Sequence, residues 1–305
     1  MKVTQVVPEA AEDAVAVIHA GFGAREVLDP AATATDETVA SVAAALETCG
    51  GLLAVDEDKP VGALLFEPRR PLLGLRRVAV HPAAQGMGVA GALVGYAERV
   101  AHDRGYDGLV LTARVELPHT VRFWEHLGYE RLDRDGVYLT MAKALPVEVV
   151  AADAEATRAA GRRLAPLLRA GDLVILSGDL GAGKTTFTQG LGAGLDVRGG
   201  VTSPTFVISR VHPSLSDGPP LVHVDAYRVG GIDELDDLDL DTSLEDAVTV
   251  VEWGSGVAEG LADTRLEVTI TRARGDEESD VRRLRLTPVG ARWVRAGLRA
   301  ALLRG

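Results

Sequence analysis

The spacing of apolar positions changes period repeatedly along the chain, and each change marks an element. Val3 to Val7 alternates with a period of two and predicts a strand; Ala10 to Ala20 switches to helical spacing with acidic residues near its start. A helical stretch around Asp36 to Cys49 follows. Leu52 to Val55 and Val61 to Phe66 read as strands that Asp56-Glu57-Asp58-Lys59-Pro60 joins as a hairpin. Leu75 to Val80 is the next strand, ahead of the Gly-containing segment His81 to Gly88 and a helix from Val89 to about Arg104. Leu109 to Thr112, Thr120 to Leu127 and Val137 to Met141 then read as strand, helix and final strand. This order predicts mixed α and β structure on a mostly antiparallel sheet.

The pattern restarts after Ala144-Leu145-Pro146. Val147 to Val150 predicts a strand, Asp153 or Thr157 starts a helix running to Leu168, and Leu173 to Leu176 is a short buried strand. A helix follows Lys184. Val207 to Val211, Leu221 to Val224, Ala247 to Val251, Leu266 to Thr271 and Val281 to Thr287 are further strands, and Gly290 to Leu303 is a closing helix. The expected fold class is α/β in two domains, 1–145 and 146–305, which also suits a length of 305 residues.

Composition narrows the function. Aromatics are only 4%, so the cores must rest on Ala, Val and Leu. The net charge of −12 divides evenly, with 14 Lys and Arg against 20 Asp and Glu in residues 1–145 and 18 against 24 in 146–305. Neither half carries the basic footprint of a nucleic-acid binder. Cys49 stands alone, which excludes an internal disulfide and a cysteine zinc site and fits a reducing compartment. The seven histidines form no H-E-x-x-H. The start lacks a basic region followed by an apolar core, and no run of 18 apolar residues occurs, so a cytoplasmic protein without a membrane partner is expected.

The chemistry concentrates where Leu173 to Leu176 leads into Ser-Gly-Asp-Leu-Gly-Ala-Gly-Lys-Thr-Thr. Gly178, Gly183, Lys184 and Thr185 complete G-x-x-x-x-G-K-[ST], the phosphate-binding loop pattern, with a strand before it and a helix after it. Gly178, Gly181 and Gly183 lack a Cβ, so the backbone of the segment, with Asp179, Ala182 and Thr186, can aim N–H groups at phosphate oxygens. Lys184 adds charge for the terminal phosphates and Thr185 a hydroxyl for Mg²⁺. Asp225 and Glu252 each follow an apolar strand and belong at the same sheet edge. One carboxylate can bind Mg²⁺ through water while the other orients an attacking water; the sequence alone leaves open which does which.

In the first half, Gln85-Gly86-Met87-Gly88-Val89-Ala90 follows a strand ending in Val80 and opens a helix, so its N–H groups can receive a pyrophosphate. With Val78-Ala79-Val80-His81-Pro82 before it and Phe123-Trp124-Glu125-His126-Leu127-Gly128-Tyr129 after it, the order resembles the GNAT acyltransferases over roughly Lys2 to Lys143. The resemblance implies acetyl-CoA bound on that loop and acetyl transfer to an amine that the sequence does not name. Trp124 stands where many members carry a tyrosine that protonates the leaving thiolate, and Leu117 where the family often has asparagine. Packing against Tyr129 is the expected role of Trp124, with His119 and Glu116 as other acid or base groups.

Three segments of the second half, Ser203-Pro204-Thr205-Phe206, His223-Val224-Asp225-Ala226-Tyr227-Arg228 and Glu252-Trp253, occur with the phosphate loop in the order of the TsaE family. What this resemblance implies is an ATPase that supports threonylcarbamoylation of the adenosine beside the tRNA anticodon, working with the other subunits of that machinery and meeting tRNA indirectly or weakly. Thr205 would sense the nucleotide, Asp225 and Glu252 would serve Mg²⁺ and hydrolysis, and Trp253 would pack beside the nucleotide. His223, Tyr227 and Arg228 would shape the site and its partner-facing rim. Arg292, Arg295 and Arg299 at i, i+3 and i+7 form one basic helical face, a solvated surface or a tRNA contact. The competing reading is a small-molecule P-loop kinase with a non-catalytic acyl-CoA-binding module; no Arg-rich lid insertion supports it.

Overall fold

The computed structural model describes residues 1–26, 28–31, 33–202, 209–227, 244–272 and 280–303. The chain divides into two compact units, Met1–Leu145 and Pro146–Gly305.

The first unit holds β1 (Lys2–Val6), α1 (Ala11–Gly23), α2 (Val39–Cys49), β2 (Gly51–Asp56), β3 (Lys59–Arg69), β4 (Leu72–Val80), α3 (Val89–Asp103), β5 (Gly108–Arg114), α4 (Pro118–His126), β6 (Glu130–Asp135) and β7 (Tyr138–Ala144). Its sheet runs in the order β1-β2-β3-β4-β5-β7-β6. Alternation along the strands sorts the helices. Leu52, Ala54 and Leu64 pack with Val89, Leu93 and Ala97 of α3 and with Trp124 of α4, whereas Leu53, Ala63 and Leu65 pack with Ile18 of α1 and Leu46 of α2. One pair of helices therefore covers each face.

All strand pairs are antiparallel except β4 with β5. That parallel pairing lasts only from Leu72↔Gly108 to Leu75↔Leu111, although β4 continues to Val80 and β5 to Arg114. The two strands therefore part in the middle of the sheet. An extra residue in β4 contributes: the register against β3 jumps from Leu65↔Arg76 to Ala63↔Ala79, and Arg77 sits at φ 51°. The predicted hairpin is tighter than its sequence suggested, since Lys59 and Pro60 already pair with Asp56 and Val55. Glu57 and Asp58 alone make the turn, both at positive φ, as a right-twisted two-residue hairpin requires. The strand β6 escapes the hydrophobic pattern because Glu-Arg-Leu-Asp-Arg-Asp is a mostly exposed edge whose charges discourage further pairing.

The second unit holds β8 (Val147–Ala151), α5 (Ala154–Leu164), β9 (Leu173–Ser177), α6 (Lys184–Gly194), β10 (Ser209–His212), β11 (Leu221–Asp225), β12 (Val248–Glu252), β13 (Arg265–Arg272), β14 (Arg282–Val289) and α7 (Leu298–Leu303). The sheet order is β10-β11-β12-β9-β13-β14-β8, with β11, β12, β9 and β13 mutually parallel. Of these, β9, β11 and β12 are buried on both faces, which explains their mostly apolar runs. Asp153 caps α5, its Oδ1 accepting the Ala156 N–H at 2.7 Å. The helices α5 and α6 approach to backbone contact: a Cβ on Gly190 would lie 2.0 Å from Arg158 O, and one on Gly161 2.3 Å from Phe187 O. This closeness fixes α6 behind the phosphate loop.

The closing helix is a correction. Only Leu298–Leu303 is α-helical; a 3-10 turn spans Ala291–Trp293, and Gly297 at φ 71° separates the two. The basic face dissolves with it. Arg292 turns inward, its Nη2 donating to Asp172 Oδ2 at 2.9 Å and to Leu167 O at 2.6 Å. Asp172 is buried and precedes β9, so this arginine anchors the chain end rather than offering charge to a partner.

Candidate functional site

The loop between β9 and α6 is shaped by three glycines at positive φ: Gly178 at 140°, Gly181 at 71° and Gly183 at 110°. At Gly178 space is as restrictive as conformation, because a Cβ there would lie 2.2 Å from Ile270 O. Ala182 is buried, and its N–H closes a turn on Asp179 O at 3.1 Å. Thr186 is half-buried in the first turn of the helix.

Lys184 starts α6 with its side chain buried. Its Nζ donates to Gly178 O at 2.8 Å and Asp179 O at 3.0 Å, and lies 3.5 Å from the centre of the Trp253 ring. Burial lowers its pKa, against the raising influence of Glu252, Asp225 and Asp179. A fixed cation therefore sits inside the loop with three carboxylates around it.

The carboxylates come from the neighbouring strands. The register Asp225↔Glu252 sets them side by side at the carboxyl ends of β11 and β12. Glu252 is 2% exposed, yet three side chains hold it: Thr185 Oγ1 donates to Oε2 at 2.9 Å, Thr188 Oγ1 lies 3.3 Å from Oε1, and His223 Nε2 lies 2.8 Å from Oε1. Asp225 Oδ1 accepts the Tyr227 N–H at 3.1 Å. Directly after Glu252 the backbone turns through Trp253 at φ 63°, strained for a bulky residue, and the Trp253 N–H is tied to Leu176 O at 2.8 Å. Its ring meets that of exposed Tyr227 at 5.0 Å.

The donor set suits a magnesium nucleotide. Thr185 and Glu252 bring hard oxygens together beside the loop, while no cluster of three or more His, Cys, Asp and Glu forms a cation cage among the described residues. A cation that takes one or two carboxylates and leaves the rest of its shell to phosphates and water fits that arrangement. Thr188 was missing from the sequence expectations, although its spacing from Thr185 on α6 was a usable signal. Two more neighbours went unread: Arg272 Nη2 donates to Gly181 O at 3.1 Å and Arg282 Nε to Ala182 O at 3.1 Å. Thr205, with Ser203, Pro204 and Phe206, and Arg228 lie outside the described residues.

In the first unit, the gap between β4 and β5 opens a cavity of about 940 Å³. Val80, Gln85, Gly86, Gly88, Val89 and Ala90 line it. Gly86 at φ 79° and Gly88 at φ 77° leave open space where a Cβ would stand, the kind of bare backbone cradle a pyrophosphate needs at a helix N-terminus. Met87 does not line the cavity; its side chain is exposed. Trp124 does line it, but is buried in the core, edge-on to Phe123 at 5.2 Å and Tyr129 at 5.1 Å. Burial, with some help from Glu98, raises the Tyr129 phenol pKa well above its usual value. His119 is exposed and lines the cavity, as does Tyr138 from β7, which the sequence did not single out. Glu116 instead pairs with Arg114 at 2.7 Å.

Residues 151–282 match the family described as "Threonylcarbamoyl adenosine biosynthesis protein TsaE", and residues 24–129 match "Acetyltransferase (GNAT) family". Over 140 residues the chain is 67% identical to the tRNA threonylcarbamoyladenosine biosynthesis protein TsaE of Streptomyces coelicolor, covering 46% of this chain and 95% of that one. The protein of the same name from Bacillus subtilis is 43% identical over 141 residues, 46% of this chain and 84% of the relative. Among solved structures, a PaiA N-acetyltransferase from Thermoplasma acidophilum in complex with coenzyme A aligns with 47% of this chain and 99% of its own, at 15% identity and a TM-score of 0.41.

Proposed function

The chain belongs to the TsaE family through its second unit, with a GNAT-family domain ahead of it, and from that premise we propose that residues 146–305 form a Mg²⁺-dependent ATPase serving tRNA threonylcarbamoylation, while residues 1–145 transfer acetyl from acetyl-CoA to an amine.

The observation that carries the first reading is the grip on Glu252, whose carboxylate is held by Thr185, Thr188 and His223 beside the buried Lys184 ammonium. Bound Mg·ATP would supply the electrophilic terminal phosphoryl group. The loop N–H groups from Gly178 to Thr186 and Lys184 bind its phosphates. Thr185 and Glu252 hold the metal, and Asp225, next to Glu252 in register, orients the attacking water. Trp253 flanks the nucleotide. Exposed Leu180 on the loop and exposed Tyr227 give this end of the unit an apolar rim suited to the other subunits of the modification machinery, through which tRNA is reached. A cytoplasmic location accords with that role, and no helix among the described residues is long and apolar enough to cross a membrane.

Mass spectrometry of tRNA nucleosides tests the proposal in strains carrying truncations. Loss of residues 147–305 should remove the threonylcarbamoyl group, and loss of residues 1–145 should leave it. Normal modification without the second unit would end this reading in favour of a kinase.

For the first unit, His119 and Tyr138 are cavity-lining groups able to give the leaving thiolate its proton. The core packing of Trp124 favours a second reading, an acyl-CoA-binding module without turnover. Acetyl-CoA binding without thiol release for any amine would select it.

A further inference from the structure

The first unit carries a charge of −6, yet the cavity between β4 and β5 is lined by five arginines, Arg25, Arg69, Arg76, Arg77 and Arg114, and only two glutamates, Glu26 and Glu67. Four of the five are paired: Arg69 with Glu67, Arg76 with Glu37 and Glu67, Arg77 with Glu37, and Arg114 with Glu116. Arg25 has no carboxylate within salt-bridge distance among the described residues. Its guanidinium stacks 3.9 Å from the centre of the Phe22 ring, and its Nη2 lies 3.5 Å from Val78 O on the bulged part of β4. The group is thus held in orientation, with donors to spare. Burial lowers its pKa, so it carries a desolvation cost that no carboxylate among the described residues offsets.

The direction from which Arg25 enters decides what it meets. The loop Gln85 to Ala90 opens α3, which packs on one face of the sheet. Arg25 follows α1, which packs on the other face, where Gly21 lets the helix approach so closely that a Cβ would lie 2.9 Å from Val80 O. The parting of β4 from β5 brings both into one cavity. A pyrophosphate on the α3 side has the helix N-terminus for its charge. An anion on the α1 side has Arg25.

We infer that Arg25 binds a carboxylate of the acyl acceptor, which is therefore an amine bearing a carboxylate group. This rests on the acyltransferase reading of the first unit. The amine nitrogen forms a bond to the acetyl carbon as the C–S bond breaks; the amine gives up one proton and CoA leaves as the thiol with one gained. A planar guanidinium donates two parallel N–H bonds to a carboxylate, which fixes the distance from carboxylate to reacting nitrogen and selects among amines by length.

The test uses the full chain, acetyl-CoA, and β-alanine, 4-aminobutyrate, glutamate and glycylglycine, each beside its carboxamide, with thiol release as readout and calorimetry of acetyl-CoA in parallel. At least one acid should be acetylated with kcat/KM tenfold or more above its amide. Arg25→Ala should erase that preference while the KM for acetyl-CoA changes less than threefold, and Arg25→Lys should restore part of it. Equal turnover of acids and amides, no turnover of any despite acetyl-CoA binding, or a loss in Arg25→Ala confined to the KM for acetyl-CoA each overturns the inference alone. Absence of acetyl-CoA binding to the wild-type chain overturns the acyltransferase reading, and this inference with it.

Discussion

His223 Nε2 lies 2.8 Å from Glu252 Oε1, with the two side chains 0% and 3% exposed. The pair joins neighbouring parallel strands at the end of the sheet that carries the phosphate loop. A buried carboxylate needs its partners, and His223 supplies one that the two threonines cannot replace. Substituting it should therefore disturb orientation of the carboxylate more than capture of phosphates. His223→Ala is expected to change nucleotide affinity by less than about threefold but to lower turnover by about 10- to 100-fold, the usual cost of losing a group that orients a ligand residue. Fluorescence titration with nucleotide and single-turnover hydrolysis separate the two effects. Equal losses in both would assign His223 to general stability instead.

Lys184 and Glu252 should split binding from chemistry. Lys184→Ala removes the charge inside the loop and is expected to weaken nucleotide binding at least tenfold. Glu252→Ala should retain binding within a few-fold while losing hydrolysis, since the proposed partner of Thr185 acts on metal and water rather than on the phosphates directly. Calorimetry with a non-hydrolysable ATP analogue, beside a phosphate-release assay, checks both. Unchanged hydrolysis in the two variants would refute the site.

Trp124 tests whether the indole acts or only packs. Its burial and its edge-on contacts with Phe123 and Tyr129 predict that Trp124→Phe keeps acetyl-CoA turnover within about twofold. Trp124→Ala should cost about 3–5 kcal/mol of stability in the first unit by opening a cavity. Denaturant unfolding and thiol release measure the two. A large loss of turnover in the Phe variant would make the indole a participant.

Glu37 predicts a pH dependence. Burial, the largest single influence, raises its pKa, but hydrogen bonds from Ser41 and Arg77 and the charges of Arg77 and Arg76 outweigh it, leaving the carboxyl below its ordinary value of 4.5. A carboxyl whose pKa is depressed by folding stabilises the native state at pH above the unfolded value, and that contribution is lost as pH falls through the folded value. Glu37→Gln should therefore cost about 1–2 kcal/mol at neutral pH, as expected for charge-assisted hydrogen bonds. The gap to wild type should close as the pH is lowered below 4.5. Thermal unfolding of the two proteins across that range is the check, and a gap independent of pH would show that the charge of Glu37 is not what stabilises.

What the sequence determined by itself is what depends on neighbours along the chain. Three glycines and a lysine at fixed spacing can only make a tight loop at a helix start, and all three glycines take positive φ where the pattern required them. Apolar runs marked β9, β11 and β12 because those strands are buried on both faces. Ends of apolar strands likewise placed Asp225 and Glu252 at the sheet edge of the phosphate loop, and the strand register then set them side by side. Tertiary structure decided the rest, wherever charge or a hydroxyl is satisfied by a residue far away in the chain. Thr188 and His223 reach Glu252 across 64 and 29 positions, and Arg292 reaches Asp172 across 120, turning an expected surface charge into an internal anchor. The parting of β4 and β5 is of the same kind, since it arises from a register that stops at Leu75↔Leu111 and from one extra residue beside Arg77. Local spacing predicts what backbone geometry demands; partners for buried polar groups are chosen by the packed fold, because only there does desolvation make each one necessary.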